Sequence, residues 1–327
     1  MRQGKNQYSP IPGAPALRKA MIQKTKDCYD VGIEIDNVAI TAGAQEGLFA
    51  TISAYVGSDD EVIMFDPIYD AYAGITKFNQ GKCVRLNLLP NGSIDLQAIA
   101  NAITTKTKII ILNSPHNPMG SMISKEEYQE LVTILKDKDI LVIADEVYEH
   151  IYAGEKFTSA IEIPELKDKL VVLQSLGKTY NLIGWRLGIT IAPSEIIKNI
   201  LAIKQFATFS AVHPMQLALA DGIVQHPAYY QDLHKLYKKQ NQLFRDGLKD
   251  SRFKLLDWQG SPFQMLDYSA ISDENDQEFA TNLIKKYGVG LIPISSLFKQ
   301  PKNGLLRLCF AKKDVDIING VKKLCQI

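Results

Sequence analysis

The densest group of reactive side chains is Ser175-Leu-Gly-Lys178-Thr-Tyr-Asn-Leu-Ile-Gly-Trp-Arg186, which places a hydroxyl, an amine and a guanidinium around the end of an apolar run, Leu170–Lys178. A lysine is poor material for a buried strand. Burial disfavours its charged form, and the free amine that results is what a nucleophile or a Schiff-base partner requires. Taken alone, the Ser-x-x-Lys fragment fits a snorkelling surface lysine better. The neighbouring strand ends decide between these readings.

Asp145-Glu-Val-Tyr148 follows five apolar residues, Ile140–Ala144. A carboxylate in that position can face a pyridine nitrogen, keep it protonated and preserve an electron sink, which is the requirement of a pyridoxal 5'-phosphate (PLP) site. Tyr148 can donate to the phenolic oxygen of such a cofactor, although a lone tyrosine is more often a packed ring. Asn117, in the turn-rich Asn113-Ser-Pro-His-Asn117-Pro-Met-Gly120, can reach the same oxygen. Gly43-Ala44-Gln45 lies where Val38–Ile40 meets the start of a helix, and free amides at a helix N-terminus bind phosphate. With Ser175 and Arg186 this turn supplies backbone, hydroxyl and cationic contacts to a dianion; in isolation it is equally a plain strand–helix turn.

The elements that position these residues follow from hydrophobic patterning. Short apolar runs at Val62–Pro67, Ile109–Pro115, Ile140–Tyr148, Leu170–Lys178 and Leu187–Pro193 predict buried strands. Between them, helical spacing marks Gln45–Val56, a capping box Ser124-Lys-Glu-Glu127 opens a helix, and Ser194 is placed to cap Glu195–Phe206. Strand alternating with helix predicts an α/β fold with a mostly parallel sheet sandwiched by helices. After residue 215 a continuous helical stretch, Met215–Lys249, leads to strand-like pieces at Lys254–Trp258, Phe263–Tyr268 and Leu305–Phe310. This divides the chain into a large PLP-binding domain, 1–215, and a connecting helix with a smaller α+β domain, 216–327.

Composition narrows the function classes. With 37 Lys+Arg against 36 Asp+Glu in 327 residues, there is no broad field for nucleic acid or an anionic membrane. No apolar run approaches a membrane span, and the start MRQGKNQY leads into polar sequence instead of a signal-peptide core. Cys28, Cys83, Cys309 and Cys325 are scattered, which fits reduced thiols in a cytoplasmic protein. His116, His150, His213, His226 and His234 show no metal-binding spacing, so no metal is expected.

Together these residues resemble the class I/II aminotransferases of the type I PLP fold, nearest the methionine aminotransferase and kynurenine/glutamine aminotransferase branches. The likeness spans the chain through Gly4–Tyr8, Thr41–Glu46, Asp66–Tyr72, Asn113–Gly120, Asp145–Ile151, Ser175–Gly188 and Leu306–Lys312. It implies that Lys178 carries PLP as a Schiff base and shuttles the substrate proton. It further implies that Asp145 binds the ring nitrogen, Asn117 and Tyr148 the phenolic oxygen, and Ala44, Gln45, Ser175 and Arg186 the phosphate. Tyr69 resembles the aromatic stacked on the ring, Arg307 the residue that grips the substrate carboxylate, with Asn117 beside it, and Tyr8 a tyrosine reaching the phosphate of a partner subunit in a homodimer.

The expected activity is transfer of the amino group of a neutral amino acid, methionine-like or aromatic, to a 2-oxo acid by a ping-pong mechanism. Gln205–Gln216 lacks the arginine that aspartate-specific relatives carry there, and Lys204, just outside it, is the residue able to rescue a dicarboxylate. Two other readings share the fold: a carbon–sulfur β-lyase, since loss of the same Cα proton can lead to elimination, and a non-catalytic PLP-fold protein. Family members carry several dozen residues ahead of the position matching Met1, including a segment that closes over the substrate. From this a complete chain of 327 residues is expected to bind PLP and dimerise but to turn over weakly.

Overall fold

Residues 4–154 and 156–327 are described by a computed structural model. The β-branched runs form strands because both of their faces are covered. In chain order they are β1 (Val38–Thr41), β2 (Glu61–Asp66), β3 (Lys82–Asn87), β4 (Thr107–Asn113), β5 (Leu141–Asp145), β6 (Leu170–Gln174) and β7 (Gly188–Ile191). They make a seven-stranded sheet in the order β1-β7-β6-β5-β4-β2-β3. Strands β6, β5, β4, β2 and β3 pair in parallel, while β7 runs antiparallel to both β6 and β1.

Side chains alternate between the two faces with period two. On β5, Val142 and Ala144 join one core cluster and Leu141 and Ile143 the other. The first cluster is covered by α1 (Pro15–Tyr29), α5 (Lys125–Ile134) and α8 (His213–Gln225), through Leu17, Met21, Tyr128, Leu131 and Leu219. The second is covered by α2 (Ala44–Tyr55), α3 (Asp70–Phe78) and α7 (Ser194–Ala207), through Leu48, Ile52, Ile75 and Ile200. A short helix α4 (Leu96–Ala102) precedes β4, and α6 (Leu176–Thr179) follows β6. Each fully buried Ile, Val or Leu contributes ~1.5–3 kcal/mol.

A second sheet, β8 (Lys254–Leu255), β9 (Phe263–Asp267), β10 (Ile292–Pro293) and β11 (Leu305–Cys309), is antiparallel in the order β10-β11-β9-β8. It packs its own core against α9 (Leu233–Gly247), α10 (Asp276–Tyr287) and α11 (Asp314–Leu324).

The capping box is present: Ser124 Oγ accepts from the Glu127 amide at 3.1 Å, and Glu127 Oε2 accepts from the Ser124 amide at 2.8 Å. Three expectations need correction. The stretch Met215–Lys249 is two helices, because α8 ends at Gln225 before His226-Pro227 and a turn separates it from α9; a proline cannot continue the ladder. Ser194 is the first helical residue of α7 and caps nothing, since Pro193 holds the N-cap position. Strand β6 stops at Gln174, so Lys178 stands on α6 and not on a strand. Among the described residues no helix is long and apolar enough to cross a membrane.

Candidate active site

Because β2, β4, β5 and β6 run in one direction, Asp66, Asn113, Asp145 and Gln174 end on one edge of the sheet. The reversed β7 starts there, with Gly188 opposite Thr41 at the end of β1. Ligands of open α/β sheets bind beyond this edge. Ala44, Gln45, Tyr69, Asn117, Asp145, Tyr148, Ser175, Lys178, Arg186 and Arg307 all line one cavity of about 330 Å³ at that edge.

Lys178 is presented by the single turn of α6, and its Nζ lies 4.7 Å from the centroid of the Tyr148 ring. Burial lowers the Lys178 pKa, the Asp145 charge opposes that shift, and Arg186 adds to it. The result favours a free amine. Asp145 is buried at the end of β5 and accepts a 2.5 Å hydrogen bond from the Tyr72 hydroxyl and a 3.4 Å one from the Val147 amide. Desolvation raises its pKa, while Tyr72, Lys178 and the Val147 amide pull the other way. Pairing with a protonated ring nitrogen would favour the carboxylate and so oppose that shift.

The amide end of β4 ties two site residues together. Asn113 Nδ2 donates to the Asp145 carbonyl at 2.9 Å, and Asn113 Oδ1 accepts from the Asn117 amide at 2.8 Å. Arg307 reaches over from β11, and its Nη1 donates to Asn117 Oδ1 at 2.8 Å. Its guanidinium lies 4.2 Å from the Phe263 ring centroid, its Nε is buried without a partner, and burial lowers its pKa. An arginine that is desolvated, aimed into a cavity and incompletely bonded is suited to a carboxylate.

At the opposite end the chain makes an anion cup. Gly43, at φ +78°, precedes α2, and the amides of Ala44 and Gln45 find no acceptor among the described residues. Arg186 follows a single 3-10 turn in a left-handed conformation, φ 53°, and swings its guanidinium over Gly43. A Cβ at Gly43 would fall 2.7 Å from Arg186 Nη2, and one at Gly188 would fall 2.3 Å from the Ala44 nitrogen. The contact at Gly188 is with main chain and requires glycine, and at Gly43 the positive φ favours it. The Tyr69 hydroxyl donates to Gln45 Oε1 at 3.3 Å.

Tyr8 is not brought to the cavity of its own chain: it is 79% exposed and meets Phe209 edge-on, 5.2 Å between centroids. Sequence reasoning gave no role to Tyr72, although it closes the family-like stretch Asp66–Tyr72, or to Phe263. These residues fit PLP: unpartnered amides and a guanidinium for a dianion, a buried carboxylate for the ring nitrogen, and a depressed lysine between them.

This edge of a doubly wound sheet, with lysine, acid and anion cup around one cavity, defines a PLP-dependent enzyme of the type I fold. The chain belongs to the aminotransferase class I and II family, which matches residues 1–324. It is 38% identical to a methionine aminotransferase of Escherichia coli, over 99% of this chain and 85% of that one. A kynurenine–oxoglutarate transaminase of Dictyostelium discoideum is 32% identical over 96% of this chain and 82% of its own. Among solved structures, YbdL of Escherichia coli, identified as having a methionine aminotransferase function, superposes with a TM-score of 0.97, 38% identity, 100% of this chain and 87% of that one. N-succinyldiaminopimelate aminotransferase of Mycobacterium tuberculosis gives 0.94, 28% identity, and 99% and 86% coverage. The protein is a PLP-dependent aminotransferase.

Proposed function

We propose that it takes its amino group from a neutral amino acid, methionine-like or aromatic, and that the residues around the cavity divide the work as follows. Bound PLP supplies the electron sink that makes the substrate Cα proton acidic. Lys178 would hold the cofactor covalently and, once released, would take that proton from Cα and pass it to the cofactor's C4′ within the same half-reaction, moving it the other way in the opposite one. Asp145 keeps the ring nitrogen protonated, Asn117 and Tyr148 contact the phenolic oxygen, and Tyr69 stacks on the ring. Ala44, Gln45, Ser175 and Arg186 hold the phosphate, and Arg307 orients the substrate carboxylate. The observation that carries this reading is the convergence of Lys178, Asp145, Arg186 and Arg307 on one cavity from three separate stretches of the chain, Ser175–Arg186, the end of β5 and β11.

The neutral donor is supported by the fate of Lys204. It is fully buried beneath α2, 3.4 Å from Glu46, and does not line the cavity, so it is not placed to rescue a second carboxylate. A dicarboxylate would leave that charge unpaired, at a cost of roughly 1–3 kcal/mol or more. Tyr8, Phe206, Phe209 and Val212 expose apolar surface near one another in sequence or space, which supports a homodimer in which Tyr8 reaches the partner's phosphate. We also assign residues 1–215 to a large domain and 216–327 to a connecting helix and a smaller domain, and place the protein in the cytoplasm, where its unbridged cysteines stay reduced.

A spectral titration of the PLP-loaded protein with a panel of amino acids tests the donor. Methionine or an aromatic amino acid is expected to discharge the lysine-bound chromophore fastest, and a preference for aspartate overturns the assignment. Borohydride reduction followed by peptide mapping should place the cofactor on Lys178 alone.

A further inference from the structure

The turn that forms the anion cup rests on a buried charged group that the reaction itself does not use. Glu46, in the first turn of α2, is 8% exposed and folds back so that Oε2 accepts from the Ala42 amide. Its other oxygen accepts from the Thr208 hydroxyl, just past the end of α7. Lys204 of α7, with no exposed surface, sits 3.4 Å from Glu46 Oε2 and donates to Thr208 Oγ1 at 3.3 Å. Two helices are thus joined directly under the Ala42-Gly43-Ala44 turn.

Electrostatics makes this arrangement double-edged. A carboxylate at a helix N-terminus is favoured by the helix dipole. The same carboxylate beside a bound dianion is not favoured, because like charges at short range in a poorly hydrated site repel strongly. Lys204 cancels that charge, and no other cation is within ion-pair distance of Glu46 among the described residues. The strut therefore has two tasks: to fix the amides of Ala44 and Gln45 in the direction of the phosphate, and to keep the carboxylate that fixes them electrically silent.

We infer that Glu46, Lys204 and Thr208 are positioning residues for the phosphate of the cofactor, setting its affinity from behind the cup without touching it. The inference rests on the reading of Gly43–Gln45 as the phosphate cup. In metal sites, removing a residue that orients a ligating group from behind costs about 10-fold or more in affinity; a loss of that order is expected here, confined to ligands that carry the phosphate.

The test is titration of the apoprotein with PLP and with pyridoxal, which lacks the phosphate, for the natural chain, Lys204→Met and Thr208→Val. Lys204→Met should lose about tenfold in PLP affinity with pyridoxal unchanged, because it leaves Glu46 uncompensated next to the dianion. Glu46→Gln combined with Lys204→Met should regain most of that loss. Thr208→Val keeps both charges paired and serves if Lys204→Met fails to fold; a smaller loss, about threefold and again specific to PLP, is expected from one hydroxyl. Equal losses for PLP and pyridoxal, or no change for either ligand in a folded variant, overturn the inference. Should the natural chain itself bind PLP no better than pyridoxal, the cup reading fails first and takes the strut with it.

Discussion

At one end of the cavity Asp145, Tyr72 and Tyr148 are withdrawn from solvent, while at the other Gln45 and Arg186 remain exposed beside the cup amides. The same kinds of charged contact therefore operate in two dielectric regimes. At the buried end desolvation raises the Asp145 and Tyr72 pKa values, and the Tyr72 hydrogen bond and the Lys178 charge, unscreened by water, pull Asp145 back toward its charged form. At the exposed end, water and salt share the load, and affinity must be spread over several backbone and side-chain donors. The buried end is arranged for chemistry and the open end for retention.

Substitutions at the buried end should break this contrast most severely. Asp145→Ala is expected to slow the amino-acid half-reaction by about 10²–10³, the scale seen when one preorganised electrostatic partner is removed. Stopped-flow spectra at saturating PLP check it; an unchanged rate would mean that Asp145 does not face the ring. Tyr72→Phe removes the 2.5 Å donor to Asp145 and keeps the ring. Because hydrogen bonds to charged groups carry about 1.5–3 kcal/mol, a change of about 10–100-fold in the same half-reaction is expected, with little change in PLP affinity.

Arg186→Ala should act differently. A loss of about tenfold in PLP affinity at low ionic strength is expected, shrinking as salt is raised, since the guanidinium is solvent-exposed. Titrations at several salt concentrations measure it, and a salt-independent loss would place Arg186 in the buried regime.

The smallest effect has opposite signs at the two ends. Burial depresses the Lys178 pKa, so the free amine accumulates as pH rises, with a midpoint below that of an ordinary lysine. The rate of covalent PLP capture by apoprotein should follow that curve. Asp145 raises this pKa and Arg186 lowers it. The midpoint should accordingly move down in Asp145→Asn and up in Arg186→Ala; shifts in the same direction would contradict the division.

The buried end was the easier one to read from sequence. Continuous apolar runs bounded by turn residues point to interior strands, and an aspartate or lysine closing such a run stands out against them, which is how Asp145 and Lys178 were found, although β6 itself ends at Gln174. Edge strand β3, Lys82–Asn87, was missed because it is half-exposed and mixes lysine, arginine and asparagine with its apolar residues. Tyr72 was missed because an aromatic one turn after another on a helix is ordinary packing until the partner is seen. The hydrogen bond between Arg307 and Asn117 joins residues 190 positions apart, across two sheets, and nothing local announces it. Lys204 was visible as a cation, but its burial against Glu46 depends on how α7 lies across α2, which periodicity does not give.

The approach of Gly188 to the Gly43–Ala44 backbone has a consequence for the inheritance of this site. A side chain at Gly43 would meet the far end of a flexible arginine, which can swing aside, although the positive φ still favours glycine there. A side chain at Gly188 would meet main chain, 2.3 Å from the Ala44 nitrogen and 2.4 Å from the Gly43 carbonyl carbon, and main chain has nowhere to go without dragging β1 out of register with β7. In a saturation library selected for growth on the enzyme's product, position 188 should therefore tolerate glycine alone. It would be as invariant as the lysine that does the chemistry, although it offers no functional group at all.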